Sequence, residues 1–224
     1  HPNQVQYIIS FIFMGMAVGQ LVCGPLSDAL GRKRVLYVGI GFYLVGSLTC
    51  FFAQDFRMLL AGRLLQGLGV AGPYVSAISI VRDKYSGRQM ARVMSIIMMI
   101  FILVPAIAPT LGQAILLIGS WHGIFLLYVV YSLTIATWLG LRLEETLPPE
   151  RRIPFHVKNI AHAFKEVVSN RVTLGYMVSM GICFGSFIGY LNSSQQIFQV
   201  QFGTGKMFTV YFGLLALVLG AASL

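Results

Sequence analysis

The stretch Gly24-Pro-Leu-Ser-Asp28-Ala-Leu-Gly31-Arg32-Lys33-Arg34 stands between two long apolar runs. A connection that only reversed the chain would need neither its acid nor its three consecutive bases. Asp28 falls at the end of the first run, where a helix macrodipole disfavours an anion by about 0.3–1 kcal/mol. Arg32, Lys33 and Arg34 open the second run, where the same dipole disfavours cations. Charges misplaced on their own helices but complementary to a neighbour describe a latch, made in one arrangement and broken in another. Plain topology marking explains the bases but leaves Asp28 unexplained. Gly24 permits a close helix crossing, and Gly31 suits the left-handed position after a helix end.

The flanking runs set the class of protein. The 224 residues are 57% hydrophobic and 10% charged, with a mean hydropathy of +0.78. Soluble domains carry roughly a quarter charged residues. A membrane helix needs about 20 mostly apolar residues, and seven segments qualify: 5–26, 35–53, 58–81, 93–117, 123–141, 172–191 and 207–224. None alternates with the period of two that a membrane barrel requires, so the expected fold is all-α and polytopic.

The net charge of +9 follows the topology. Of the 16 Lys and Arg, three follow the first segment, four follow the third and six follow the fifth. Bases gathered on alternate connections are the positive-inside pattern, which assigns 27–34, 82–92 and 142–171 to the cytoplasm. It gives no footprint for nucleic acid. The same orientation starts His1 outside, and Leu224 stops within an apolar run; both lead us to expect a piece of a longer protein. Most of the acids and three prolines fall in the polar stretch 142–171. That composition divides the chain into a first helix bundle (1–141), a cytoplasmic linker (142–171) and the start of a second bundle (172–224). Within the linker, Ile160, Phe164 and Val167/Val168 recur at helical spacing. The segment reads as an amphipathic helix on the membrane surface or as an ordinary solvated helix.

Arg63 is the one charge well inside a span. A central arginine costs about 2.5–3.5 kcal/mol on insertion scales, so a role in a cavity is the first hypothesis, with snorkelling to the outer surface as the plain alternative. Residues 63, 66, 67 and 70 share a helical face, which sets Gln66 beside Arg63. Pro105 and Pro109, one turn apart with Gly112 following, each remove a backbone donor, so a bent helix beside a cavity is expected. Gly15 and Gly19, and Gly181, Gly185 and Gly189, form small-residue stripes that suggest tight crossings. Cys23, Cys50 and Cys183 read as buried free thiols. No metal-ligand spacing, nucleophile–base pairing or phosphate-binding glycine loop occurs, so neither an enzyme nor a cofactor or metal site is expected. No acid lies in the interior of a span.

At this point a resemblance enters. Gly24 to Leu36 is similar to the loop signature Gly-x-Leu-x-Asp-(Arg/Lys)-x-Gly-Arg-(Lys/Arg) of the major facilitator superfamily, departing at Ala29, where a base is common. The stretch Arg63-Leu-Leu-Gln66-Gly67 resembles that family's helix-four signature. Pro105 to Gly112, Ser120 to Phe125 and Glu145 to Arg152 resemble the bicyclomycin/chloramphenicol-resistance (Bcr/CflA) branch of drug:proton antiporters. Ala108-Pro109 stands where Gly-Pro is usual, and His122 where a base is common. The resemblance implies helices two to eight of a twelve-helix facilitator bundle in a bacterial inner membrane. It implies a secondary transporter exporting small drug-like molecules in exchange for protons by alternating access. Arg63, Gln66 and Gly67 would line the substrate or coupling cavity. Gly24, Asp28, Gly31, Arg32 and Lys33 would form the cytoplasmic latch, and Pro105, Pro109 and Gly112 would shape their helix. The proton carrier would then lie outside this chain. An importer or metabolite exporter of the same superfamily is the nearest alternative. A seven-helix receptor, suggested by the bare helix count, is a remote one.

Overall fold

The computed structural model describes residues 2–203 together with Leu214. It is all-helical: α1 (Pro2–Leu30), α2 (Arg32–Phe51), α3 (Phe56–Lys84), α4 (Gly87–Ile118), α5 (His122–Arg142), α6 (Val157–Ser169) and α7 (Arg171–Gln196). A short 3-10 turn, Pro149–Arg151, and a π-helical turn, Ile197–Gln201, complete the described elements. Among the described residues, α1, α2, α3, α5 and α7 each hold a stretch long and apolar enough to cross a membrane. The expected fourth span, 93–117, falls within α4, a helix of 32 residues. The expected seventh, 207–224, lies outside the described residues apart from Leu214. Two compact units divide the chain after Pro154.

Helix ends follow local chemistry. The carboxylate of Asp55 accepts from the Met58 amide at 2.6 Å and caps α3, where an anion also suits the dipole. Arg82 and Lys84 occupy the last turn of α3, the favourable end for cations. Asn170 caps α7 by accepting from the amides of Val172 and Thr173.

In the first unit α3 is the spine. Its two opposite faces are clad in small residues, and each receives a helix. On one side Gly15 and Gly19 of α1 press against Leu64, Gly67, Leu68 and Ala71. On the other, Gly39 and Gly46 of α2 meet Gly62, Gln66, Gly69, Gly72 and Pro73. A Cβ at Gly67 would land on the Ile12 carbonyl, and one at Gly69 on the Tyr43 amide. In lipid there is no hydrophobic drive between helices, so dispersion between closely approaching backbones holds them together. α5 docks on α2, with the Tyr37 hydroxyl donating to the Ala136 carbonyl at 2.9 Å. The partition of residues is inverted relative to a soluble domain. Gln66, Ser27, Ser47 and Ser76 are fully buried, while large apolar side chains cover the outside.

Several expectations change. α4 runs continuously from Gly87 to Ile118 through Pro105 and Pro109, each proline removing a single donor from the ladder. No described residue approaches Gly112, and none approaches Gly24, so Gly24 marks no close crossing. The stripe at Gly181, Gly185 and Gly189 likewise meets nothing within 4 Å among the described residues. Of the three free cysteines, Cys50 alone is buried; Cys23 is half-buried and Cys183 exposed.

The spine makes a quantitative prediction. Gly67→Ala forces α1 off α3 and should destabilise the protein by about 1–3 kcal/mol. Gly41→Ala, with nothing within 4 Å of its Cβ, should be neutral or stabilising by up to about 1 kcal/mol. Thermal unfolding of the detergent-solubilised protein, followed by size-exclusion chromatography, compares the two; equal stability would remove α3 from its central place.

Candidate functional site

Two polar clusters interrupt the apolar bundle. The first surrounds Arg63. Its guanidinium lies over the Phe125 ring of α5, 4.8 Å from the centroid, and its Nη1 donates to Gln66 Oε1 at 3.4 Å. A cation over an aromatic face gains about 0.5–2 kcal/mol, more where water is scarce. Phe125 is 3% exposed and Gln66 fully buried. The arginine therefore points into the space among α2, α3 and α5, not outward to lipid. Gln66 Nε2 in turn donates to Ser47 Oγ at 2.8 Å, and Ser47 Oγ donates to the Tyr43 carbonyl. The Cys50 thiol donates weakly to Gln66 Oε1 and to the Leu59 carbonyl. The buried Nε of Arg63 has no hydrogen-bond partner. No acid pairs with this guanidinium among the described residues.

The pairing of Arg63 with Gln66 is as expected from their spacing. Gly67 is not part of that pocket; it is buried against the α1 backbone at Ile12 and Met16 and acts as a crossing glycine. Ser47, Cys50 and Phe125 escaped the sequence reading. They lie on other helices, and nothing in their local sequence separates them from ordinary span residues.

The second cluster closes one end of the unit. Arg32, only 7% exposed, gathers two carboxylates from two other helices. Its Nη1 donates to Asp28 Oδ1 at 2.5 Å and to Ser27 Oγ at 3.2 Å, and its Nε donates to Asp83 Oδ2 at 3.1 Å. Asp28 thus finds the cation its position demands. Asp83 also accepts from the Thr146 hydroxyl at 3.3 Å.

The bases of α2 pose the opposite problem, and a distant segment answers it. Gly31 is the N-cap of α2 and has no side chain to cap it. Glu145, 113 residues beyond Arg32, takes that place: Oε1 accepts from the Arg32 amide at 2.9 Å and Oε2 from the Lys33 amide at 3.2 Å. Oε1 also accepts from the amides of Thr146 and Leu147, which folds the segment around its own carboxylate. A carboxylate on helix N-terminal amides offsets the repulsion between the dipole and the three bases. Gly31 must be glycine on two counts: its φ is +100°, and a Cβ would collide with Glu145 and press on Arg152. Lys33 Nζ donates to the Leu143 carbonyl at the end of α5, where a cation suits the dipole. The Ile153 amide donates to the Asp28 carbonyl, so the segment from Leu143 to Ile153 is strapped across the ends of α1, α2, α3 and α5.

The structure therefore brings Asp28, Gly31, Arg32 and Lys33 together, leaves Gly24 apart, and adds Asp83 and Glu145. The pattern of acids in the sequence contained both, but an acid gives no sign of which helix end it will reach. Pro109 and Gly112 of α4 join neither cluster among the described residues.

Comparison with known proteins accords with this architecture. The profile of the Major Facilitator Superfamily matches residues 1–224. An MFS-type transporter of Bacillus subtilis, YdgK, is 32% identical over 222 residues, 97% of this chain and 55% of that protein. A bicyclomycin resistance protein homolog of Haemophilus influenzae is 32% identical over 200 residues, 88% of this chain and 50% of that one. The multidrug resistance protein MdtL of Klebsiella pneumoniae is 29% identical over 224 residues, 98% of this chain and 56% of its own length. The chain spans about half the length of the curated relatives it matches. The crystal structure of the human organic anion transporter MFSD10 superposes with a TM-score of 0.70 at 21% identity, covering 99% of this chain and 55% of that one, which supports the fold. The seven-helix receptor reading does not stand. The chain is an integral membrane protein of the major facilitator superfamily, a family of transporters and not of enzymes.

Proposed function

We propose that this chain is part of a secondary transporter that exports small drug-like molecules from a bacterial cell, in exchange for protons, by alternating access. The carrying observation is Arg63, a half-buried guanidinium whose partners among the described residues are all neutral: an amide, an aromatic ring and, through the amide, a hydroxyl. A charge kept inside a membrane bundle without a counter-ion is costly to hold, and such groups mark substrate or ion pathways. The titrating acid that would pair with it comes from outside this chain. The names of the resistance-protein relatives support the drug-like substrate, and their bacterial sources support the inner membrane. The Lys and Arg distribution supports cytoplasmic placement of 27–34, 82–92 and 142–171. In this reading 1–141 is most of one bundle, 142–171 the linker between bundles and 172–224 the start of the other. A second reading, an exporter of anionic metabolites, has one observation in its favour: the unpartnered Nε of Arg63 suits a negatively charged substrate group.

The Arg32 cluster serves in this scheme as the cytoplasmic latch. It joins three helix ends to the linker through charge-assisted bonds centred on the covered Arg32, whose acid partners remain partly open to water. Such a joint has two discrete states, closed with its bonds made or open with water replacing them.

In the intact protein, Arg63→Ala should reduce efflux to background in a cell-based accumulation assay. The substitution also removes an insertion cost of about 2.5–3.5 kcal/mol, so its level in the membrane should be unchanged or higher. Normal efflux by a well-inserted variant would take Arg63 out of the mechanism. Glu145→Gln loses the charge on the α2 amides and about 1–2 kcal/mol of capping. Leu147, a residue of the strap only 7% exposed, reports on it. A cysteine placed by Leu147→Cys should react faster with a membrane-impermeant maleimide in Glu145→Gln and in Asp28→Asn than in the parent. Equal rates would reduce the cluster to a topology marker.

A further inference from the structure

α6 is the one described helix too short to cross a bilayer and the most sharply divided between apolar and polar sides. Its 13 residues span about 20 Å against about 30 Å of hydrocarbon. Ile160, Phe164, Val167 and Val168 fall within one arc of the helix, as i, i+4, i+7 and i+8 positions do. Phe164 is 57% exposed and Val167 and Val168 are each 38% exposed. Ile160 at the start of the arc is half-buried, while the rest of the arc faces outward, where water is a poor neighbour for it. Lys158 and Lys165, seven residues and two turns apart, stand exposed in line along one border of the arc. Glu166, the single acid of the helix, lies on the polar side.

Two further features say what meets this face. First, Asn170 alone separates α6 from α7, a helix long and apolar enough to cross a membrane. α6 is thereby tethered where α7 leaves the hydrocarbon, and Arg171 adds a third exposed cation at the junction. Second, the aliphatic stems of Lys158 and Lys165 can lie on acyl chains while their ammonium groups reach outward to phosphate depth. We propose that α6 docks flat on the adjoining bilayer surface. Its apolar arc enters the acyl boundary, and Lys158, Lys165 and Arg171 bind the headgroups of anionic lipids. The linker segment that α6 belongs to would then be anchored by lipid composition, independently of any transported molecule. Apolar insertion supplies the affinity and the cations supply the preference for anionic headgroups.

The test needs no transport measurement. The intact protein carrying Phe164→Cys is labelled with bimane and reconstituted either in phosphatidylcholine or in an equimolar mixture of phosphatidylcholine and phosphatidylglycerol. The same protein without that substitution gives the background from native cysteines. Brominated acyl chains should quench the probe, and more strongly in the mixture. Lys158→Gln with Lys165→Gln should abolish the difference between the two membranes, each lysine contributing roughly fivefold to the docked population. Three results would overturn the proposal. Quenching by aqueous iodide in both membranes would mean a solvated helix. Protection from both quenchers would mean that protein, whether the rest of the transporter or a second copy, covers the arc. Lipid quenching that is equal in both membranes and in the double variant would remove the anionic headgroups.

Discussion

Hydrocarbon offers a polar group no partner, so the side chain of Gln66 can be fully buried only if the helices around it come close enough to serve it. That requirement organises the first unit. Gly46 and Gly62 let α2 reach α3 at backbone distance, which carries Ser47 to the Gln66 amide at 2.8 Å. Gln66 then presents its carbonyl oxygen to Arg63. The order of dependence runs from missing Cβ atoms, to a helix crossing, to a satisfied amide, to an oriented guanidinium. A substitution at either glycine would act on Arg63 without touching it.

The closed end of the unit obeys a different rule. There the helix termini set the problem: three C-termini and one N-terminus meet, and Asp28 at the end of α1 and the bases that open α2 have the wrong sign for their own dipoles. Arg32 resolves one side by drawing in Asp28 and Asp83, and Glu145 resolves the other by sitting on the first amides of α2. These bonds are individually modest where water can reach them. Asp28 is about half exposed, whereas Arg32 is almost entirely covered. The cost of opening therefore falls chiefly on the arginine, because it is the group that must be left without partners.

Much of this architecture was legible in the sequence because its causes are local. Span length, the side on which bases gather, and the i, i+3 proximity of Arg63 to Gln66 need nothing beyond composition and helical geometry. Two kinds of feature were not. Gly24, Gly67, Gly112 and the stripe on α7 are all small residues, and a small residue permits an approach without stating whether a partner makes it. Gly67 meets α1, while the other positions meet nothing described. Asp83 and Glu145 were visible as acids but not as partners of Arg32 and its amide, since those contacts span 51 and 113 residues.

α3 belongs to both polar clusters, with Arg63 near one end and Asp83 near the other, about 30 Å apart along the axis. Could it carry a signal between them by bending or sliding? Its small-residue faces are pressed against α1 on one side and α2 on the other, where added atoms would meet backbone within ordinary contact distance. A close-packed interface of that kind moves in discrete repackings, not by continuous deformation. Sliding α3 by even part of a turn would drive Leu64 and Leu68 into Gly15 and Gly19 and separate Gln66 from Ser47. The three helices are thus built to move as one body. Any coupling between the clusters must then pass through what surrounds that body: the strap from Leu143 to Ile153, held by Glu145 and Lys33, and α5, which brings Phe125 to Arg63 and ends at that same strap.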